Sequence, residues 1–130
     1  MILALNETRK TLLASRLHVV EKEAIERAEY VREIRPGDGF WFEPCEGVDT
    51  QRLKAPIDLV FVDADHRVLA VMDLLRTRSE RLLIPGAVAI LALASGTIRL
   101  SQTREGDHIA LDPIAPQVGS ELPAARAPRL

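Results

Sequence analysis

A chain of 130 residues with one cysteine and a formal charge of −2 is long enough to bury roughly two thirds of its unfolded surface without a disulfide or metal staple. It carries no basic excess of the kind that holds phosphate backbones, and its few aromatic residues are thin material for stacking bases, so no nucleic-acid partner is expected. No run approaches the ~20 apolar residues of a membrane span, and the opening Ile2–Leu5 is too short for a signal peptide and follows no basic segment. A soluble, cytoplasmic protein without a membrane partner is expected.

Ile2–Leu5 reads as a first short strand, closed by the turn-forming "NET". Thr11–Val20, "TLLASRLHVV", alternates in part and reads as one strand, with Leu13, Ser15, Leu17 and Val19 on one face. The period then changes. Ala24, Ile25, Ala28, Val31 and Ile34 recur at helical spacing, Glu21 and Glu23 suit a helix start, and Pro36 with its flanking glycine ends it. This is the one clearly amphipathic helix.

"FWFEP" is a short strand, and "PIDLVFV" is apolar on nearly both faces and so belongs in the centre of a sheet. "DADH" is a turn and "RVLAVMDLL" the returning strand; the three strands are expected to form an antiparallel set. "RTRSER" is a charged loop. "AVAILALA" combines helix-favouring composition with the length and flanking glycines of a buried strand, and is read as a strand. "TIRLSQTREGD" is a short helical turn ending at Gly106, and "HIALDPI" a last strand. A single domain over residues 1–112 is followed by a Pro- and Ala-rich tail over 113–130, which has too little to bury to offset its ordering entropy.

The ordered set "GDGFWFEPC", "VDTQRLKAPIDLVFVDADHRVLAV", "GAVAILALASGTI" and "EGD" resembles the family named domain of unknown function 192. The matching residues are Gly39, Pro44, Cys45, Val48, Thr50, Pro56, Ile57, Asp58, Phe61, Asp63, Val68, Gly86, Ala87, Leu91, Leu93, Gly96, Gly106 and Asp107. The likeness covers roughly residues 11–111 and implies a compact, mainly β (α+β) domain. A small β-sandwich or part-closed barrel is expected, with one amphipathic helix and a short second helix. Some relatives in that family carry export signals. This chain departs from the family pattern at three points. Asp49 stands at the usual histidine, Ala92 stands at the glutamate of a Leu-Glu-Leu strand, and the segment before the Gly-rich turn lacks the usual Gly-Leu pair. A polar family site built on that histidine and glutamate would be largely lost here.

Cys45 is the first candidate for chemistry. A nucleophilic thiolate needs a cation, a helix N-terminus or an imidazole beside it. Glu43, Glu46 and Asp49 are the wrong sign for this, and Cys45 reads better as a small packing thiol. Asp58 lies among apolar neighbours. It reads either as a buried acid or base, or as an acceptor of backbone N–H groups that pins the entry into its strand, and the second reading is preferred. "DADH" fails the calcium-loop pattern, because Val68 and Leu74 stand where glycine and glutamate are required. His18, His66 and His108 have no zinc spacing, so no metal or other cofactor is expected. The glycines form no phosphate-binding motif.

The sequence therefore favours a non-enzymatic binding or assembly module. Its weak ligand-binding candidates are Cys45, Asp49, Thr50 and Asp58. The expected partner is a small polar ligand or a peptide, with a homodimer as a further option. The alternative is a small enzyme that uses Cys45 as nucleophile or Asp49 and Asp58 as an acid–base pair.

Overall fold

Strands whose residues are apolar on both faces can be buried only if something covers each side of their sheet. The computed structural model, which describes residues 2–20, 34–43, 47–49, 55–75 and 81–113, meets that requirement. In chain order the elements are β1 (Ile2–Asn6), β2 (Thr11–Ala14), β3 (Arg16–Val20), β4 (Asp38–Phe42), β5 (Gly47–Asp49), β6 (Ile57–Val62), β7 (Val68–Leu75), β8 (Arg81–Leu83), β9 (Ala89–Ala94), α1 (Thr97–Ser101) and β10 (Ile109–Pro113). A five-stranded sheet runs β3-β4-β9-β6-β7, a three-stranded sheet runs β10-β1-β2, and β5 pairs with β8. The fold is mainly β with one short helix among the described residues, as the sequence predicts.

Every residue of β6 and β9 is buried. Ile57, Leu59, Phe61, Ile90, Ala92 and Phe42 belong to the core on one face of the large sheet. Val60, Val62, Leu91, Leu93 and Trp41 belong to the core on the other, where they meet Ala4, Leu13, Ala14, Ile98 and Ile109 from the small sheet and α1. The two sheets do not close into a barrel. They are joined by a bend at Ser15, which separates β2 from β3, and by an isolated antiparallel bridge between Arg67 and His108.

Several expectations need correcting. The strands over Asp38–Phe42 and Ile57–Val62 are not neighbours, because β9 lies between them and pairs antiparallel with both. Being apolar on both faces, β9 takes a central position, where both faces are covered. The stretch from Thr11 to Val20 is two strands with different partners: β2 pairs antiparallel with β1, and β3 pairs parallel with β4. A register shift sets Ala14 opposite Ala4 and Leu12 opposite Leu5, so Leu13 is the extra residue of a β-bulge. The bulge breaks the alternation, and Leu13 and Ala14 are both buried while Leu12 is exposed. The helical turn stops at Ser101, because Gln102 adopts a left-handed conformation (φ 60°) and caps it.

The helix predicted over residues 21–34 lies outside the described residues except for Ile34, which is buried in the first of the two cores. The tail beyond Pro113 also lies outside them, and Pro113 itself pairs with Ile2 in the β10–β1 ladder. The "DADH" turn is as expected. One Asp63 carboxylate oxygen accepts the N–H groups of Asp65 and Arg67, each at 2.9 Å, and His66 takes the left-handed position (φ 63°).

The corner at Ser15 depends on a close approach of backbones. A Cβ placed on Gly39 would lie 2.9 Å from the Ala14 Cβ, 3.2 Å from Leu93 and 3.3 Å from Leu17. Glycine is required in the middle of β4 because the small sheet packs onto the large one there. Gly39→Ala is expected to destabilise the protein by about 1–3 kcal/mol, the usual cost of overpacking a filled core. Chemical denaturation checks this, with a lowered midpoint at unchanged slope as the expected result.

Candidate functional site

The bend at Ser15 leaves a gap where β2 has left one sheet and β4 has not yet begun. The Ser15 and Arg16 N–H groups both donate to the Gly37 carbonyl at 2.9 Å, which marks the change of partner. Before that point β2 pairs only with β1. None of the further backbone hydrogen bonds among the described residues reaches residues 11–14. Among the described residues the outer edge of β2 is therefore unpaired. An open groove of about 370 Å³ lies along it, lined by Thr11–Ser15, by Pro36 and Gly37, and by Thr97, Leu100 and Ser101 of α1. That volume falls in the lower part of the range that holds small ligands.

The wall opposite β2 is held at both ends. Asp58 is fully buried in β6, and its Oδ2 accepts the Ile98 N–H at 2.8 Å, which fixes the first turn of α1 over the end of the sheet. This is the backbone-acceptor role read from the sequence, and this partner comes from a distant segment. At the other end, the Thr11 hydroxyl donates to the Ser101 carbonyl at 3.0 Å. The Ser101 and Thr103 hydroxyls share a hydrogen bond of 2.7 Å. The Asn6 amide donates to Thr103 Oγ1 and to Asp107 Oδ2, both at 2.9 Å, and Arg9 Nε and the Arg104 N–H also reach that Asp107 oxygen at 3.1 Å. Burial alone would raise the Asp107 pKa. The Asn6 amide, the Arg9 guanidinium and the Arg104 N–H outweigh it and hold the carboxyl below its ordinary value of 3.8. Five buried polar residues, Asn6, Asp58, Ser101, Thr103 and Asp107, thus position the helical wall.

Among the described residues, none that lines the groove is charged or a histidine, and none of them is a base that could activate a lining hydroxyl. Each hydroxyl donates to a carbonyl of its own chain: Thr11 to Ser101, Ser15 to Gly37, Thr97 to Ala94 and Ser101 to Ile98. The groove does offer apolar surface. Leu100 is 87% exposed and Leu12 is 52% exposed. One apolar side chain thus stands on each wall.

The structure separates the site residues read from the sequence. Asp58 is internal and serves α1. Asp49 lies in β5, opposite Arg81 of β8. Cys45 and Thr50 lie outside the described residues. No three His, Cys, Asp or Glu side chains converge on a common point among the described residues, and no helix there is long and apolar enough to cross a membrane. Sequence reasoning missed the groove. Its one local trace is the consecutive apolar run Leu12–Leu13–Ala14, which breaks strand alternation and signals the bulge.

No protein-family model matches the chain, and none of the curated proteins is significantly similar to it. Two solved structures share its fold. A protein of unknown function from Novosphingobium aromaticivorans DSM 12444 has a TM-score of 0.67 at 19% identity, over 84% of this chain and 82% of that one. A candidate transcription regulator from Sinorhizobium meliloti 1021 has a TM-score of 0.66 at 18% identity, over 84% of this chain and 90% of that one. At these identities the likeness is one of fold alone and indicates no specific function.

The Asp107 network carries a signed pH dependence. A carboxyl whose folded pKa is depressed contributes stability that is complete above its unfolded value and is lost as pH falls through the folded one. Asp107→Asn is expected to cost about 1–3 kcal/mol at neutral pH, as for loss of hydrogen bonds to a charged acceptor. The gap between variant and wild type should narrow as pH falls below 3.8. Urea denaturation of both proteins from pH 7 to pH 3 measures it, and the difference isolates Asp107 from Asp63, whose pKa is also lowered.

Proposed function

We propose that this protein is a non-enzymatic binding module whose ligand seats in the groove between β2 and α1. The observation that carries the reading is the juxtaposition of an unpaired strand edge with an exposed leucine on each wall, in a groove that lacks catalytic groups. A strand edge offers backbone donors and acceptors, and apolar flanks add contact area, which together suit recognition without chemistry.

The same reading treats the chain as a divergent member of the domain of unknown function 192 family, sharing its scaffold. Matched residues with architectural duties support this: Asp58 holds α1, Asp63 closes its turn, Asp107 anchors the polar network, and Gly39 permits the sheet contact. Asp49, with Cys45 and Thr50 close by in sequence, is retained as a second place where a polar ligand meets the chain.

Panning a random peptide display library against the wild-type protein tests the groove. Enriched sequences should bind wild type and lose about tenfold or more in affinity for Leu12→Glu and Leu100→Glu, because each buries a charge in the contact. Both sites are exposed, so the variants should fold. Sequences that bind all three proteins alike would overturn the reading. Its non-enzymatic character makes a separate prediction: in the native protein the Cys45 thiol should react with an alkylating reagent near neutral pH no faster than a free cysteine. Faster labelling would mark an activated thiolate.

A further inference from the structure

The ends of the groove say what kind of chain fits it. Lys10 stands immediately before Thr11 at one end of the β2 edge, and Arg35 immediately before Pro36 at the other. Both are exposed, and among the described residues neither has an ion pair or a side-chain hydrogen bond. The other nearby cations are engaged: Arg16 with Asp38, Arg9 with Asp107 and Arg99 with Asp73. The groove between them is uncharged and carries Leu12 and Leu100.

We infer that the occupant is an extended peptide segment of another protein, added as a strand to the outer edge of β2, apolar at its centre and acidic on both flanks. The inference rests on the groove reading above and specifies its partner. Four residues of edge span about 13 Å at ~3.3 Å per residue. That matches a segment of about four residues whose backbone completes the β2 ladder while its flanking carboxylates reach Lys10 and Arg35. The centre must be uncharged, because no lining group can pair a buried charge. A strand, as opposed to a helix or a compact ligand, uses the backbone groups that β2 turns away from β1.

The test uses the full chain and three synthetic peptides. The first is acetyl-Asp-Asp-Val-Thr-Val-Thr-Asp-Asp-amide. The second has lysine at all four aspartates. The third has proline at the second valine, which removes a backbone donor without touching the protein. Calorimetry gives affinities, and backbone amide shifts of Leu12, Leu13 and Ala14 report the site. At low salt the acidic peptide should bind about tenfold more tightly than the lysine peptide, as expected for two exposed ion pairs exchanged for two repulsions. That difference should collapse in 1 M salt, where screening acts within about 3 Å. The proline peptide should bind at least tenfold more weakly than its parent. The Lys10→Glu, Arg35→Glu double variant should reverse the charge preference. Equal binding of acidic and lysine peptides, or of parent and proline peptides, at these amides would overturn the inference and leave the groove reading standing. If no peptide shifts these amides and the panning also yields no groove-dependent sequence, both fall.

Discussion

A strand has two edges, and the segment from Thr11 to Val20 cannot satisfy both along its whole length. It pairs with β1 before Ser15 and with β4 after it. The change of partner is fixed by one carbonyl, that of Gly37, which accepts the N–H groups of both Ser15 and Arg16. Joining two packed sheets at a corner requires such a switch, and the switch leaves half of each strand with one bare edge. For β2 the bare edge is the floor of the groove. Gly39 allows the corner to close, Leu13 bulges to keep the core filled on the turn, and α1 stands over the gap. The site is thus a consequence of how the sheets are joined.

The buried polar groups follow from the same geometry. Asn6, Asp58, Ser101, Thr103 and Asp107 lie among otherwise apolar surroundings, where an unpaired polar atom would cost about 1–3 kcal/mol. Each has a hydrogen-bond partner, and together they anchor the two ends of α1. A five-residue helix has little intrinsic stability, since nucleation fixes several residues for very few bonds. It persists because Asp58 supplies an acceptor at its start and the Ser101–Thr103–Asn6–Asp107 chain holds its end. Polar residues that would suggest chemistry in isolation act here as fasteners.

Much of the large sheet was legible in the sequence because its signal is local. The apolar runs at Ile57–Val62 and Ala89–Ala94, the return at Val68–Leu75 and the Asp63 turn correspond to strands and a turn in the structure. Strand order was less accessible, because periodicity reports which faces are buried and not which strand lies alongside. That is why β9 went unplaced between β4 and β6. The break at Ser15 was hidden because a bulge and a bend leave composition unchanged. For the same reason Leu12 could not be distinguished from a core leucine. The β5–β8 pair carried too short a pattern to be read. Asp58 could be read as an acceptor of backbone N–H groups, but one of its partners lies 40 positions away, and Leu12 and Leu100 line one groove only through a junction that no local window contains.

An unpaired strand edge invites indiscriminate pairing, and this one is guarded in ways that bear on what it accepts. It is four residues long, too short to template an extended aggregate, and Lys10 sits at its entrance, a placement that discourages edge-to-edge association. The opposite wall, α1, is tied to the edge where the Thr11 hydroxyl donates to the Ser101 carbonyl at 3.0 Å. β3 differs: Arg16, His18 and Val19 are exposed, and Arg16 is tied to Asp38 at 2.7 Å, which puts an ion pair at its start. The two edges of one bent segment therefore differ in character. β3 carries an ion pair at its first residue, whereas β2 follows a lysine in sequence and is uncharged from Thr11 to Ala14. A short uncharged edge with a cation at its entrance is an arrangement that disfavours indiscriminate pairing.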